Sequence, residues 1–211
     1  WEARTAMPRG AMLKHDGQGV GTVAFSSDGK TVLTGSRDKT ARLWDARTGA
    51  PLSVPLKHDA WVDAVAFSPD GQTALTGSYD KTARLWDTRT GAPLSEPLKH
   101  EGVVSAVAFS PDGQTVLTGA SDKTARLWNA PTGTLLVKPL KHEGEVLAVA
   151  FSPDGQTVLT RSGDKTARLW DTRTGAPLSE PLVHEDRVAA MAFSPDGQTA
   201  VSYTHLTLPT T

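Results

Sequence analysis

The heptapeptide Asp-Lys-Thr-Ala-Arg-Leu-Trp occurs four times, ending on Trp44, Trp86, Trp128 and Trp170, always 42 residues apart. Ala-Phe-Ser keeps the same step at Phe25, Phe67, Phe109, Phe151 and Phe193. A histidine recurs with it at His15, His58, His100, His142 and His184, with one extra residue in the first interval, within Asp16-Gly17-Gln18-Gly19. A fixed period in this range constrains a chain more than any other feature. Each copy is one supersecondary unit that cannot bury its own faces and must stack on its neighbours.

One cycle, Lys57 to Leu98, shows what the unit is. Val62, Ala64 and Ala66 alternate with Asp63, Val65 and Phe67, the two-residue period of a strand. Ser68-Pro69-Asp70-Gly71-Gln72 is a hairpin connection, with proline fixing one φ and glycine supplying a positive one. Thr73 to Gly77 reads as a second strand, Ser78 to Lys81 as a tight turn and Thr82 to Trp86 as a third strand. Asp87 to Gly91 turns again, and Pro93 to Leu98 runs extended. Pro93 and Pro97 suit only a sheet edge or bulge, so this fourth strand is expected on the outside of an antiparallel four-stranded sheet.

The 211 residues are 38% apolar and carry a formal net charge of -1 without an acidic or basic block. That balance argues against nucleic acid or an anionic membrane as the main partner. No apolar run approaches the length of a membrane span. There is no cysteine, hence no disulfide or thiolate chemistry. The compartment stays open, with a cytoplasmic location the working expectation. Trp1 to His15 repeat the spacing of Trp86 to His100, so the chain is expected to begin inside a repeat.

Trp-Asp closing the third strand, His about 28 residues before it and Asp six before it resemble the pattern of WD-repeat β-propellers. The resemblance covers about residues 1–200. It implies an all-β fold of four-stranded antiparallel blades, incomplete, with about four full blades and partial ones at both ends. The cycles run about 15–57, 58–99, 100–141 and 142–183, with partial cycles at 1–14 and 184–200. Two departures leave the spacing intact. The family's Gly-His reads Lys57-His58, and Val183-His184 at the end, and Asn129 replaces Asp after Trp128.

The resemblance also implies a hydrogen-bonded tetrad in each blade, joining the histidine, a strand-two hydroxyl, the tight-turn Asp and the Trp. The matching sets are His15, Thr34, Asp38, Trp44; His58, Thr76, Asp80, Trp86; His100, Thr118, Asp122, Trp128; and His142, Thr160, Asp164, Trp170. Equal histidine spacing invites a metal reading. Yet each histidine belongs to a different blade and cannot converge on one ion, so no metal or other cofactor is expected. His-Asp-Thr also looks like a hydrolase triad. Four equal copies in closed networks leave no unique exposed nucleophile, so no catalytic residue is assigned. Gly17-Gln18-Gly19-Val20-Gly21 lacks the Lys-Ser/Thr and helix of a phosphate loop and reads as an inter-strand loop. Arg42, Arg84, Arg126 and Arg168, paced identically, read as packing or solvated positions.

The informative positions are those where near-identical copies diverge. Gly19, Trp61, Val103, Glu145 and Arg187 are equivalent, as are Gly21, Asp63, Ser105, Leu147 and Ala189. So are Arg37, Tyr79, Ser121 and Gly163, and likewise Gly35, Gly77, Gly119 and Arg161. In an antiparallel meander these loops share one end, while the uniform hairpins and turns share the other. Trp, Tyr and Arg anchor interfaces. The rim residues Arg37, Trp61, Asp63, Tyr79, Glu145, Arg161 and Arg187 are therefore expected to meet a protein or peptide. The alternative is drift at exposed loop positions.

The expected function is a non-catalytic protein-interaction scaffold. The regular repeats also resemble the propeller parts of bacterial signalling proteins, which would make the chain a sensor or targeting module of a larger enzyme such as a serine/threonine kinase. Residues 201–211 break the pattern and resemble one reading frame of a sequencing adapter. They are expected to be a non-native tail without a fold of their own.

Overall fold

The computed structural model describes residues 12–16 and 19–204. The first sheet holds β1 (Val20–Phe25), β2 (Thr31–Ser36), β3 (Thr40–Asp45) and β4 (Leu56–Lys57). The second holds β5 (Val62–Phe67), β6 (Thr73–Ser78), β7 (Thr82–Asp87) and β8 (Leu98–Lys99). The third holds β9 (Val104–Phe109), β10 (Thr115–Ala120), β11 (Thr124–Asn129) and β12 (Leu140–Lys141). The fourth holds β13 (Val146–Phe151), β14 (Thr157–Ser162), β15 (Thr166–Asp171) and β16 (Leu182–Val183). A two-stranded sheet, β17 (Val188–Phe193) with β18 (Ala200–Thr204), ends the described chain. Each four-stranded sheet is an antiparallel meander in chain order, and together they form an open, incomplete propeller.

The register is the same in every blade. In the second, Val65 faces Thr76 and Thr76 faces Arg84, while Ala74 faces Trp86. A bulge between Val62 and Ala64 lets the innermost strand bend as it leaves the rim. The fourth strand is shorter than the expected Pro93–Leu98. Pro93 makes an isolated bridge to Trp86, and pairing resumes only where Leu98 faces Ala83. A proline just before the paired dipeptide, at Pro55, Pro97, Pro139 and Pro181, brings no N–H to the ladder in any blade; the third blade, with Leu135 where the second has Pro93, leaves the ladder in the same way.

The core lies between blades, not within one. Leu33, Leu43 and Leu56 of the first blade pack on Val62, Ala74 and Trp86 of the second. Leu75, Leu85 and Leu98 repeat this against Val104, Val116 and Trp128. Leu117, Leu127 and Leu140 repeat it again against Val146, Val158 and Trp170. Gly35, Gly77 and Gly119 let these faces close. A Cβ on Gly119 would sit 2.7 Å from Val146 Cγ1. At the fourth junction Arg161 stands in this place. Its guanidinium runs out to the carbonyls of Val188 and Ala189, at 2.6 and 2.7 Å. Leu182 is 39% exposed, where its counterparts Leu56, Leu98 and Leu140 are buried, because the described fifth sheet has two strands and no counterpart of the tryptophan that covers those leucines.

The tail expectation changes in one respect. Residues 201–204 are a strand, with Ser202 facing Met191 as Thr76 faces Val65. Strand pairing needs only an extended backbone and tolerant side chains, and Val201, Ser202, Tyr203 and Thr204 supply both. Residues 205–211 and most of the partial cycle at 1–14 lie outside the described residues.

Candidate functional site

Two sets of side chains could carry function, and the meander places both at one end of the blades. The tetrads come first. In the second blade His58 enters from the loop before β5, Thr76 from β6, Asp80 from the tight turn and Trp86 from β7. His58 Nδ1 lies 2.7 Å from an Asp80 carboxylate oxygen, and Nε2 lies 2.7 Å from Thr76 Oγ1. Trp86 Nε1 donates to the same hydroxyl at 2.9 Å. The other blades repeat this. His15, His100 and His142 meet Asp38, Asp122 and Asp164 at 2.9, 2.9 and 3.2 Å. Each also meets its threonine, Thr34, Thr118 or Thr160, at 2.7 Å. Trp44, Trp128 and Trp170 donate to those hydroxyls at 2.8, 2.9 and 2.8 Å. Histidine and indole rings meet edge-on in each blade, with centroids 5.9–6.0 Å apart.

Each carboxylate is more fully satisfied than four partners require. The second oxygen of Asp80 accepts from the Thr82 amide and hydroxyl, and the first also accepts from the Asp59 amide. Burial alone would raise these carboxyls, but the hydrogen bonds outweigh it. Those from Thr40 and His15 bring Asp38 down to about 2, and those from Thr166 and the Glu143 amide do the same for Asp164. Asp80 and Asp122 are held lower still, chiefly by His58 and His100. Three of the four paced arginines, Arg42, Arg84 and Arg126, close the network from outside, while Arg168 turns to the Lys141 carbonyl instead. Arg126 Nη2 lies 3.3 Å from Asp122, and Arg84 lies 3.7 Å from both Asp80 and Asp59. Their constant spacing is the sequence signal for this contact, which packing or solvation alone does not describe. The partial fifth unit keeps half a tetrad, His184 Nε2 to Ser202 Oγ at 2.8 Å.

A model of the family described as "WD domain, G-beta repeat" matches residues 9–45, 49–87, 91–129 and 133–171, most of the chain. The chain belongs to the WD-repeat family. WD-repeat domains as a class mediate protein–protein interaction, and they are typically non-catalytic. The chain is also similar to the nuclear distribution protein nudF of Aspergillus terreus, at 34% identity over 82 residues. That match spans 29% of this WD-repeat chain and 18% of the relative.

The rim residues form the second set. In every blade the turn after strand two donates one backbone hydrogen bond to the loop before strand one. Tyr79 N bonds Trp61 O at 2.9 Å, and Gly163 N bonds Glu145 O at 2.8 Å. The variable positions are thus neighbours within a blade. They also meet between blades. The Arg37 guanidinium of the first blade lies 4.8 Å over the Trp61 ring of the second. Trp61 and Tyr79 have centroids 5.3 Å apart at 49° and are 42% and 43% exposed. Asp63 stands beside them, its carboxyl raised by burial and partly offset by Arg37. The structure therefore brings Arg37, Trp61, Asp63 and Tyr79 into one cluster. Glu145 and Arg187 are exposed further round the rim. Arg161 is not free there, because it is spent on the carbonyls of β17 and depressed by burial and by Arg187. The cross-blade stack is not legible within any one repeat. Its one trace in the sequence is that Arg37 and Tyr79 hold equivalent positions of adjacent repeats and Trp61 stands on the same rim.

The titrating groups of the tetrads set a pH dependence. Burial lowers His100 and His142 below their ordinary 6.5, with their aspartates opposing it. Below pH 6.5 the unfolded chain therefore binds more protons than the folded one, and stability falls with pH. A second loss follows between 3.8 and about 2, as carboxyls such as Asp38 and Asp164 protonate first in the unfolded chain. Urea titrations are expected to give a plateau above pH 7, a modest decline to pH 5 and a steeper one below pH 4. An optimum at pH 5 would contradict the sign.

Proposed function

We propose that this chain is a non-catalytic interaction scaffold that holds a protein or peptide partner on its variable rim. The observation that carries the reading is the Arg37–Trp61–Tyr79 stack. Large aromatic and guanidinium groups, half exposed and pre-positioned by contact with one another, are the residue types that anchor interfaces at low ordering cost. Drift at unconstrained positions has no reason to assemble three of them, from two blades, into one patch. The tetrads support the non-catalytic side. Each threonine hydroxyl is buried and already engaged by histidine and indole, so it offers no free nucleophile.

The tetrads themselves are proposed to be structural, holding the loop before strand one against the tight turn and so fixing the rim. Substituting Arg37, Trp61 and Tyr79 together by alanine is expected to abolish partner recovery in a pull-down. Unfolding should change by less than about 1 kcal/mol, because all three are surface groups. Full recovery by the triple variant would refute the rim assignment.

A further inference from the structure

We propose that the Arg37–Trp61–Tyr79 patch takes an acidic peptide, one carboxylate of which is gripped by the Arg37 guanidinium while an apolar neighbour lies against Tyr79. The inference rests on the rim reading above and adds the chemistry of the partner.

Arg37 is the decisive group. Its guanidinium carbon lies 4.8 Å from the centre of the Trp61 ring, so the ring shields one side of the group. Among the described residues no acceptor lies within hydrogen-bond reach of that group. This differs from Arg84, Arg126 and Arg161, whose guanidiniums reach backbone carbonyls. A stacked guanidinium is already held in one orientation, and its planar fork matches a carboxylate in two parallel hydrogen bonds. A cationic ligand has the opposite experience. The π face it would seek on Trp61 is taken, and it would have to expel Arg37 against like-charge repulsion.

The surroundings agree. Lys39 shares the tight turn with Arg37, and every complete blade carries a lysine in that turn and another just before its histidine or at strand four, as in Lys81 and Lys57. At the opposite end each hairpin and most of the following turns carry an aspartate, as in Asp70 and Asp87. The rim end also carries Asp38 and Asp80 in the tight turns and Asp59 after His58, so the rim is mixed in charge; the turn carboxylates are engaged by the tetrads, while the Arg37 guanidinium has no such partner among the described residues. Asp63 is the one dissenting charge in the cluster. It attracts Arg37 without a direct hydrogen bond and so competes with any incoming carboxylate.

That competition gives a test with opposite signs. The probe is a random octapeptide library displayed on phage, selected against the 211-residue chain. A peptide from the selection is then synthesised and titrated by fluorescence polarisation. Selection is expected to enrich Asp and Glu beside Leu, Phe or Pro. Arg37→Ala is expected to weaken binding at least tenfold, Arg37→Lys severalfold, and Asp63→Asn to strengthen it about threefold. Enrichment of Lys and Arg, weakening by Asp63→Asn, or no enriched peptide would overturn the acidic-ligand assignment. If Trp61→Ala and Tyr79→Ala weaken binding while Arg37→Ala does not, the rim reading stands and the ligand chemistry falls. If all three leave a selected peptide bound as before, the rim reading falls with it.

Discussion

Asp80→Ala is expected to lower the unfolding free energy by about 3–5 kcal/mol, roughly 10 °C in Tm, while leaving the rim chemistry of Trp61 and Tyr79 unaltered. The size follows from what the carboxylate holds. Its two oxygens accept from the His58 ring, the Asp59 amide, and the amide and hydroxyl of Thr82. Alanine removes every acceptor at once and leaves the donors in a space where the His58 side chain is fully covered. An orphaned buried donor costs about 1–3 kcal/mol, and the ring nitrogen and two amides are not all able to reach water. Arg84 loses its counter-charge as well. Asp80→Asn keeps one acceptor and is expected to cost less than half as much. Differential scanning calorimetry of the three proteins checks the order. A midpoint within about 2 °C of the parent for Asp80→Ala would mean that the tetrad does not hold the blade together.

The repeat arithmetic made most of this legible beforehand, because a blade is read from local signals. Alternation in Val62–Phe67, the Pro-Asp-Gly hairpin and the Thr-Ala-Arg-Leu-Trp strand each specify their own backbone. Their recurrence then requires stacking. The tetrad positions came from resemblance, and distances of 2.7 to 3.2 Å are what the structure adds. Contacts across a blade boundary were not legible. Arg37 and Trp61 are separated by a whole strand pair and a turn, and no pattern within one repeat says that the first reaches over the second. The partners of the paced arginines were not legible for a related reason. A charged residue on a strand has several possible neighbours, and only the register that sets Arg84 opposite Thr76 brings it to Asp80. The tail shows the limit from the other side. Its sequence departs from the repeat, yet Ser202 keeps a hydroxyl where His184 needs one, so the strand persists to Thr204.

The second large effect concerns the seam between blades. Gly77→Ala is expected to destabilise the chain by about 2–3 kcal/mol, or roughly 5–10 °C in Tm. A methyl there would stand 2.9 Å from Val104 Cγ1, 3.0 Å from the Val104 carbonyl oxygen and 3.0 Å from Val107 Cγ1. Valine could rotate away, but the carbonyl belongs to the bulged start of β9 and moves only with the strand. The third blade would have to retreat by several tenths of an ångström, loosening Leu75, Leu85 and Leu98 from Val116 and Trp128. At the fourth junction the glycine is absent. Arg161 fills the glycine place, reaches the rim to find carbonyls, and leaves its Nε buried without a partner. The reverse substitution, Arg161→Gly, is therefore expected to cost far less than Gly77→Ala, because it removes an unsatisfied donor and a desolvated charge along with two hydrogen bonds. Equal losses for the two variants, measured by urea titration at pH 7.5, would mean that the glycine row is not what closes the blades.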